Sequence, residues 1–285
     1  MRAELDPDGR VDLEDAKYFR AHLAEHYDVI AWEGDDLVGA ATALVSTSFP
    51  RPFGRNYVLP RAQGRGIGTA LYRAVSRWAA ERGHNEFEIW IEDDHPEGRE
   101  FAEKRGYREI GREDRLILEL ASTAPVGREP PDGIEIVTWA EHPKLIEGVY
   151  GVARESYPDV PGEEDVELPS FDDWLAKDMS GPGDRPEAVF IALAGDEVVG
   201  YSKFSLTKAQ PETAHHDMTG VKRAWRRRGI AGALKAAQIR WAKEAGYTRL
   251  VTRNERRNTA IQELNQRFGY RPAPGQTLMR GPLAD

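Results

Sequence analysis

Two stretches place glycines and arginines where a helix is about to begin, "GRGIGTALYR" at Gly64–Arg73 and "RRRGIAGALK" at Arg226–Lys235. Like charges side by side repel unless something anionic sits among them. A helix start offers unpaired backbone N–H groups and the positive end of its dipole, and small residues let a ligand approach that backbone closely. With arginine donors added, the matching chemistry is the grip of a phosphate or diphosphate. The plain alternative is a solvated basic turn.

A repeat favours the grip. Set over Arg227–Gly246, the segment Gly64–Gly83 is identical at 11 of 20 positions, at an offset of 163 that also carries Gly106-Tyr107 onto Gly269-Tyr270. A period that long means two copies of a whole domain. Neither copy has the G-x-x-x-x-G-K-[ST] of a Walker loop. A dinucleotide fingerprint fails as well, because Thr69 stands where the first copy needs its third glycine and the second copy offers only Gly229 and Gly232. Both copies do fit Gln63-x-x-Gly66-x-Gly68 and Arg226-x-x-Gly229-x-Ala231. This resembles the acyl-CoA loop of the GNAT superfamily of N-acetyltransferases, Q/R-x-x-G-x-G/A, and with the later Gly-Tyr the likeness spans roughly two thirds of each half.

The resemblance implies acetyl-CoA as cosubstrate, its diphosphate held by Arg226, Arg227, Arg228, Gly229, Ile230, Ala231 and Gly232. The first-copy counterparts are Gln63, Gly64, Arg65, Gly66, Gly68 and Thr69. It assigns the thioester carbonyl to a backbone N–H at or beside Val221. It also gives Asn258 and Asn254, four residues apart and read as one face of a helix's first turn, to the pantetheine or phosphate arm; helix capping is the alternative for Asn258. Acetyl passes directly to an amine in this family, so the demands are a base, a polarised carbonyl and an acid for the leaving thiolate. On the strand before the loop, "AHHDMTGV", Asp217 is the first candidate base and His216 the reserve; alternation puts Asp217 and His215 on one face and His216 on the other. Many family members carry a tyrosine four residues before the last glycine. Here Asn265 and Ala102 stand there, leaving Asn265 to orient the sulfur, or Tyr270, Tyr201 or water to act as acid.

These groups need a scaffold, and each copy reads as the same one: a hairpin with a Gly-Asp turn, a third strand, the glycine turn, a long helix, a strand, a shorter helix and a last strand. The helices show apolar stripes at Leu71, Val75, Trp78 and Ala79, and at Leu234, Ala237, Ile239 and Trp241, and close at Gly83 and Gly246. The tryptophans are read as core. The expected fold is α/β (α+β): two GNAT domains, each a mixed, mostly antiparallel sheet flanked by helices. Their limits are 1–121 and 133–285, joined by a Pro/Gly-rich linker at 122–132. The second copy has some 30 more residues ahead of its loop (compare Gly133 to Arg226 with Met1 to Gln63), room for helices that wall an amine pocket. It is therefore expected to be the catalyst and the first copy degenerate, a layout resembling the mycothiol synthases. Asp159, Asp172 and Asp173 are candidate contacts for a cationic substrate.

Bulk composition agrees. The 285 residues suit two domains, 40% are hydrophobic and 31% charged. The absence of cysteine excludes disulfides and thiolate sites. The net charge of -9 argues against nucleic-acid binding, and no apolar run suggests a membrane span or signal peptide, so a cytoplasmic monomer or homodimer is expected. "HLAEH" at His22–His26 matches a zinc-hydrolase pattern, H-x-x-E-H, but is read as a solvated helix face, with no metal expected. An acetyltransferase of a small-molecule or peptide primary amine is the leading reading; a non-catalytic acyl-CoA-binding regulator is the alternative.

Overall fold

The computed structural model describes residues 12–22, 25–46, 49–123, 129–161 and 168–284. Two compact units emerge: Phe19–Glu113 with Pro274–Asp285, and Arg10–Tyr18 with Asp114–Ala273. The copies run consecutively along the chain, but the units do not. Each takes its last strand from the other copy.

The first unit starts in helix α1 (Leu13–His22), then runs through β1 (Glu25–Glu33), β2 (Asp36–Ser46), β3 (Phe49–Val58), α2 (Ile67–Ala80), β4 (Glu86–Glu92) and α3 (Pro96–Glu103). Gly34 opens the first hairpin turn at φ 60°, a conformation nearly reserved for glycine. The strand order is β1-β2-β3-β4-β11, with β11 (Arg271–Pro282) antiparallel to β4 from Gln276↔Glu92 to Pro282↔Glu86. Only β3 and β4 are parallel here, as a helix crossover between them requires. The apolar stripe of α2 is buried as its periodicity predicts, and Trp78 stacks on Tyr27 at 6.1 Å. The two histidines of "HLAEH" do not share a helix: His22 ends α1 and His26 lies in β1, which removes the zinc-hydrolase geometry.

The second unit contains the end of β5 (Arg108–Glu119), then β6 (Glu135–Thr138), α4 (Ile146–Ser156), α5 (Phe171–Asp178), β7 (Val189–Ala194), β8 (Glu197–Ser205), β9 (Thr213–Val221), α6 (Ile230–Glu244), β10 (Arg249–Glu255) and α7 (Thr259–Arg267). Its sheet runs β5-β10-β9-β8-β7-β6. One core fills the face under α6, with Phe190, Phe204, Ile230 and Leu234. A second fills the opposite face under α4 and α5, with Val149, Trp174, Ile191 and Tyr201. Trp241 lies partly buried against Phe204 and Tyr247, at 5.7 Å from each. Two helices do occupy the extra length ahead of the second loop. No helix among the described residues is long and apolar enough to cross a membrane.

Candidate active site

The two glycine turns are built alike. Gly66 and Gly229 sit just ahead of their helices at φ 84° and 90°, and neither α2 nor α6 has a side chain capping its first amides. By contrast, α5 and α7 are capped, by Ser170 and Asn258. The N–H groups of Ile230, Ala231 and Gly232 therefore have no partner from a cap or from their own helix. Above Gly66 a Cβ would meet nothing within 4 Å, and above Gly229 only Pro131 at 3.5 Å, so both turns leave a cradle open. The first motif residue does the same job in each copy: Gln63 donates to the Val58 carbonyl at 3.2 Å, and Arg226 to the Val221 carbonyl at 2.9 Å.

The arginines divide their work. Arg226 also pairs with Asp159 at 2.7 Å, and Arg223 grips the same carboxylate with two nitrogens at 2.7 and 2.8 Å. That grip, led by the Arg223 hydrogen bonds, lowers the Asp159 carboxyl to about 2. Asp159 therefore braces the loop and is not free to meet a cationic substrate. Asp173 is likewise engaged in the α5 cap with Ser170. Arg227 is held at φ 60°, a costly backbone for a residue with a Cβ, where the first copy has Gly64 at φ 73°. It is exposed, as is Arg228, whose guanidinium lies 4.7 Å from the Trp225 ring. In the first copy Arg65 instead pairs with Glu33 at 2.8 Å, and Thr69 accepts from Arg105 at 2.7 Å.

Beside each turn the central parallel strands pair only briefly. Pairing of β9 with β10 covers Thr213–His215 against Arg249–Val251, although the strands continue to Val221 and Glu255; β3 and β4 share only Phe53↔Glu88 and Gly54↔Ile89. A β-bulge marks the same level of the second copy. Between Ser202↔Thr219 and Phe204↔His216, Lys203 faces both Asp217 and Met218.

Asp217 is 40% exposed and pairs with Lys203 at 2.9 Å. The Lys203 ammonium, almost wholly buried, also meets Asp184 at 3.0 Å and donates to the Asp178 carbonyl. Burial opposes its charge, yet Asp217 and Asp184 outweigh that and hold its pKa well above normal. Burial raises Asp184, and raises the Asp178 carboxyl to about 6. Sequence reasoning missed Lys203, Asp178 and Asp184; the available signal was a lone lysine inside "VVGYSKFSL", an otherwise apolar and small strand.

The remaining candidates lie elsewhere. His216 is buried on the α6 face, its ring 4.6 Å from Phe204 and bonded to the Tyr270 hydroxyl, and burial drives its pKa well below normal. As reserve base it is corrected to a core residue. Asn265 is wholly buried and donates to Asn254 at 2.8 Å, so it ties α7 to β10. Asn254 sits in β10 and Asn258 at the α7 cap, not on one helix face; Asn258 accepts from the Ile261 amide. Tyr201 and Tyr270 are buried, and burial raises both phenols well above normal, unsuiting them as ready acids. Two further groups were unforeseen. Lys235 is fully buried, 5.1 Å from the Tyr270 ring, and burial alone lowers its pKa to about 7. Gln238 is also fully buried, beside the His216 ring.

Known proteins resemble this chain in sequence and fold. The Acetyltransferase (GNAT) family profile matches residues 2–107 and again 146–270. The mycothiol acetyltransferase of Catenulispora acidiphila is 25% identical over 249 residues, covering 84% of this chain and 75% of that protein. That of Nocardia farcinica is 26% identical, covering 88% and 79%. Among solved structures, a tandem GNAT protein from the clavulanic acid biosynthesis pathway superposes with TM-score 0.78 at 18% identity, covering 99% and 93%. A GCN5-related N-acetyltransferase from Sphaerobacter thermophilus does so with TM-score 0.73 at 21% identity, covering 90% and 81%. Two matched segments, one around each glycine turn, make this chain a tandem N-acetyltransferase of the GNAT family.

Proposed function

We propose that the second copy, 133–285, transfers acetyl from acetyl-CoA to the primary amine of a polar small molecule or peptide, and that the first copy is a degenerate CoA-binding or scaffolding domain. Acetyl-CoA is the cosubstrate typical of the family and supplies acetyl as an activated thioester. The residues fit it: uncapped amides at Ile230–Gly232, an open cradle over Gly229 and exposed Arg227 and Arg228 suit a diphosphate. The Val221 N–H, or its neighbour, polarises the thioester carbonyl. Asp217 takes the proton of the incoming ammonium. Arg226, Asn254, Asn258 and Asn265 hold the loop and the helix that frame the site.

The observation that carries this reading is the half-exposed Asp217 carboxylate, paired with buried Lys203 on the α4 and α5 side of the sheet at the level where β9 and β10 stop pairing. Asp178 and Asp184 add negative charge there, which favours a cationic acceptor. The first copy has Gly54 in the corresponding register and so lacks a counterpart of Asp217 there. We place the protein in the cytoplasm, as a monomer or homodimer without nucleic-acid or membrane partners. The test is CoA release from acetyl-CoA with a panel of spermidine, kanamycin, glucosamine, a mycothiol-type amino-sugar thiol and short peptides. Release that depends on one of these amines is expected; acetyl-CoA binding with no amine-dependent release would favour the regulator instead.

A further inference from the structure

Lys203 is a cation buried among Asp178, Asp184 and Asp217, and it comes from the strand beside the proposed base. Taking an ammonium out of water is costly, and the cost is offset here by its ion pairs with Asp184 and Asp217 and its bond to the Asp178 carbonyl. Removing the lysine would leave Asp217 facing the Asp184 and Asp178 carboxylates with no cation between them. Like charges so placed favour retention of a proton and rotation toward solvent. The bulge is what brings the groups together, because one extra residue in β9 sets Asp217 against Lys203. In the first copy the register runs unbroken from Ala41↔Asn56 through Thr42↔Arg55 to Ala43↔Gly54. Thr42, at the place of Lys203, donates to Asp28.

We infer that Lys203 is the positioning residue of acetyl transfer: bonded to Asp217 through the β9 bulge, it fixes that carboxylate in one orientation and in its ionised form. This rests on Asp217 being the base. Tyr18, Tyr201, Asp178, Asp184 and, behind Asp178, Lys177 are the other titratable groups around the cluster, contributed by α1, β8, α5 and the segment after α5.

The test compares Lys203→Met and Lys203→Arg by carboxyl carbon NMR titration of aspartate-labelled protein without substrate, with Asp217 assigned by its loss in Asp217→Asn. In Lys203→Met the Asp217 midpoint is expected to move up by about one pH unit or more. The acid limb of kcat/KM for the best amine of the panel moves the same way, kcat falls about 100-fold and KM for acetyl-CoA stays within about two-fold. Lys203→Arg restores both midpoint and rate. If Lys203→Met does not fold, Lys203→Met/Asp184→Asn removes one of the stranded charges and is titrated in its place, with the same shift expected. An unmoved midpoint and pH profile in whichever variant folds, or no rescue by arginine, would overturn the inference. Asp217→Asn separates the two readings: full activity there refutes the base, whereas an inactive Asp217→Asn beside a normal Lys203→Met refutes the positioning role alone.

Discussion

The first and second copies keep the same turn but not the same interior. Both hold their leading side chain on the carbonyl of the preceding strand, through Gln63 and Arg226, and both start an uncapped helix at a left-handed glycine. Beneath those helices they part. At the offset of 163, Lys235, Gln238 and Asn265 correspond to Tyr72, Val75 and Ala102. Where the second copy buries an amine and two amides, the first buries an aromatic group in which Tyr72 packs edge-on against Phe101 and Tyr107, its hydroxyl bonded to the Pro282 carbonyl. The turn of the second copy leaves Arg227 and Arg228 exposed, and that of the first pairs Arg65 with Glu33. A backbone cradle survives duplication because it needs only glycine and helix geometry; a reaction centre needs several placed side chains, and the proposed assignment gives these to the second copy.

The comparison breaks most easily at Asp217. Asp217→Asn keeps shape and removes the base, and is expected to lower kcat by 10²–10⁴-fold, as loss of a general base typically does, with acetyl-CoA binding unchanged by calorimetry. A rate within a few-fold of the parent would leave the second copy without its proposed base. A middle-sized effect tests the interior. The Lys235 amine has a pKa lowered to about 7 in the fold against 10.5 when free, so between those values the unfolded chain binds the extra proton and stability rises with pH. Urea unfolding at pH 7 and pH 9, below the range where phenols ionise, is expected to show a gain of about 2 kcal/mol that Lys235→Met abolishes. The smallest effect is at Arg227. Replacing it by glycine, as the first copy has at Gly64, relieves the φ 60° backbone, so Arg227→Gly is expected to be more stable by about 1 kcal/mol while weakening CoA binding.

Much of this was legible in the sequence. The hairpins, the central helices and the glycine turns follow from local signals: alternation, a 3.6-residue stripe and glycines that enter left-handed backbone. The exchange of last strands was not, because β5 and β11 occupy the same place in each copy's order and nothing in either strand says which neighbour it will join. Strict alternation along β9 correctly separated Asp217 from His216. It missed the bulge, and with it the lysine opposite, because an extra residue in one strand shows only against its partner. Asn258 was legible as a capping residue type, and that is what it is; Asn254 was misplaced because β10 runs to Glu255 and α7 starts only at Thr259. His216 was read as the reserve base and Asn265 as a group orienting the sulfur, whereas tertiary packing buries both. Lys235 escaped notice because a lysine flanked by Leu234 and Ala236 on an apolar helix reads as a solvated residue until the packing of Tyr270 is known.

The turn before α6, and not the one before α2, is proposed to carry the chemistry. Acetyl transfer by Gly229→Trp and Gly66→Trp tests it directly, since either indole fills its cradle and disturbs its left-handed glycine. The account predicts no amine-dependent CoA release from Gly229→Trp and a rate within about two-fold of the parent from Gly66→Trp. An active Gly229→Trp beside an inactive Gly66→Trp would contradict it.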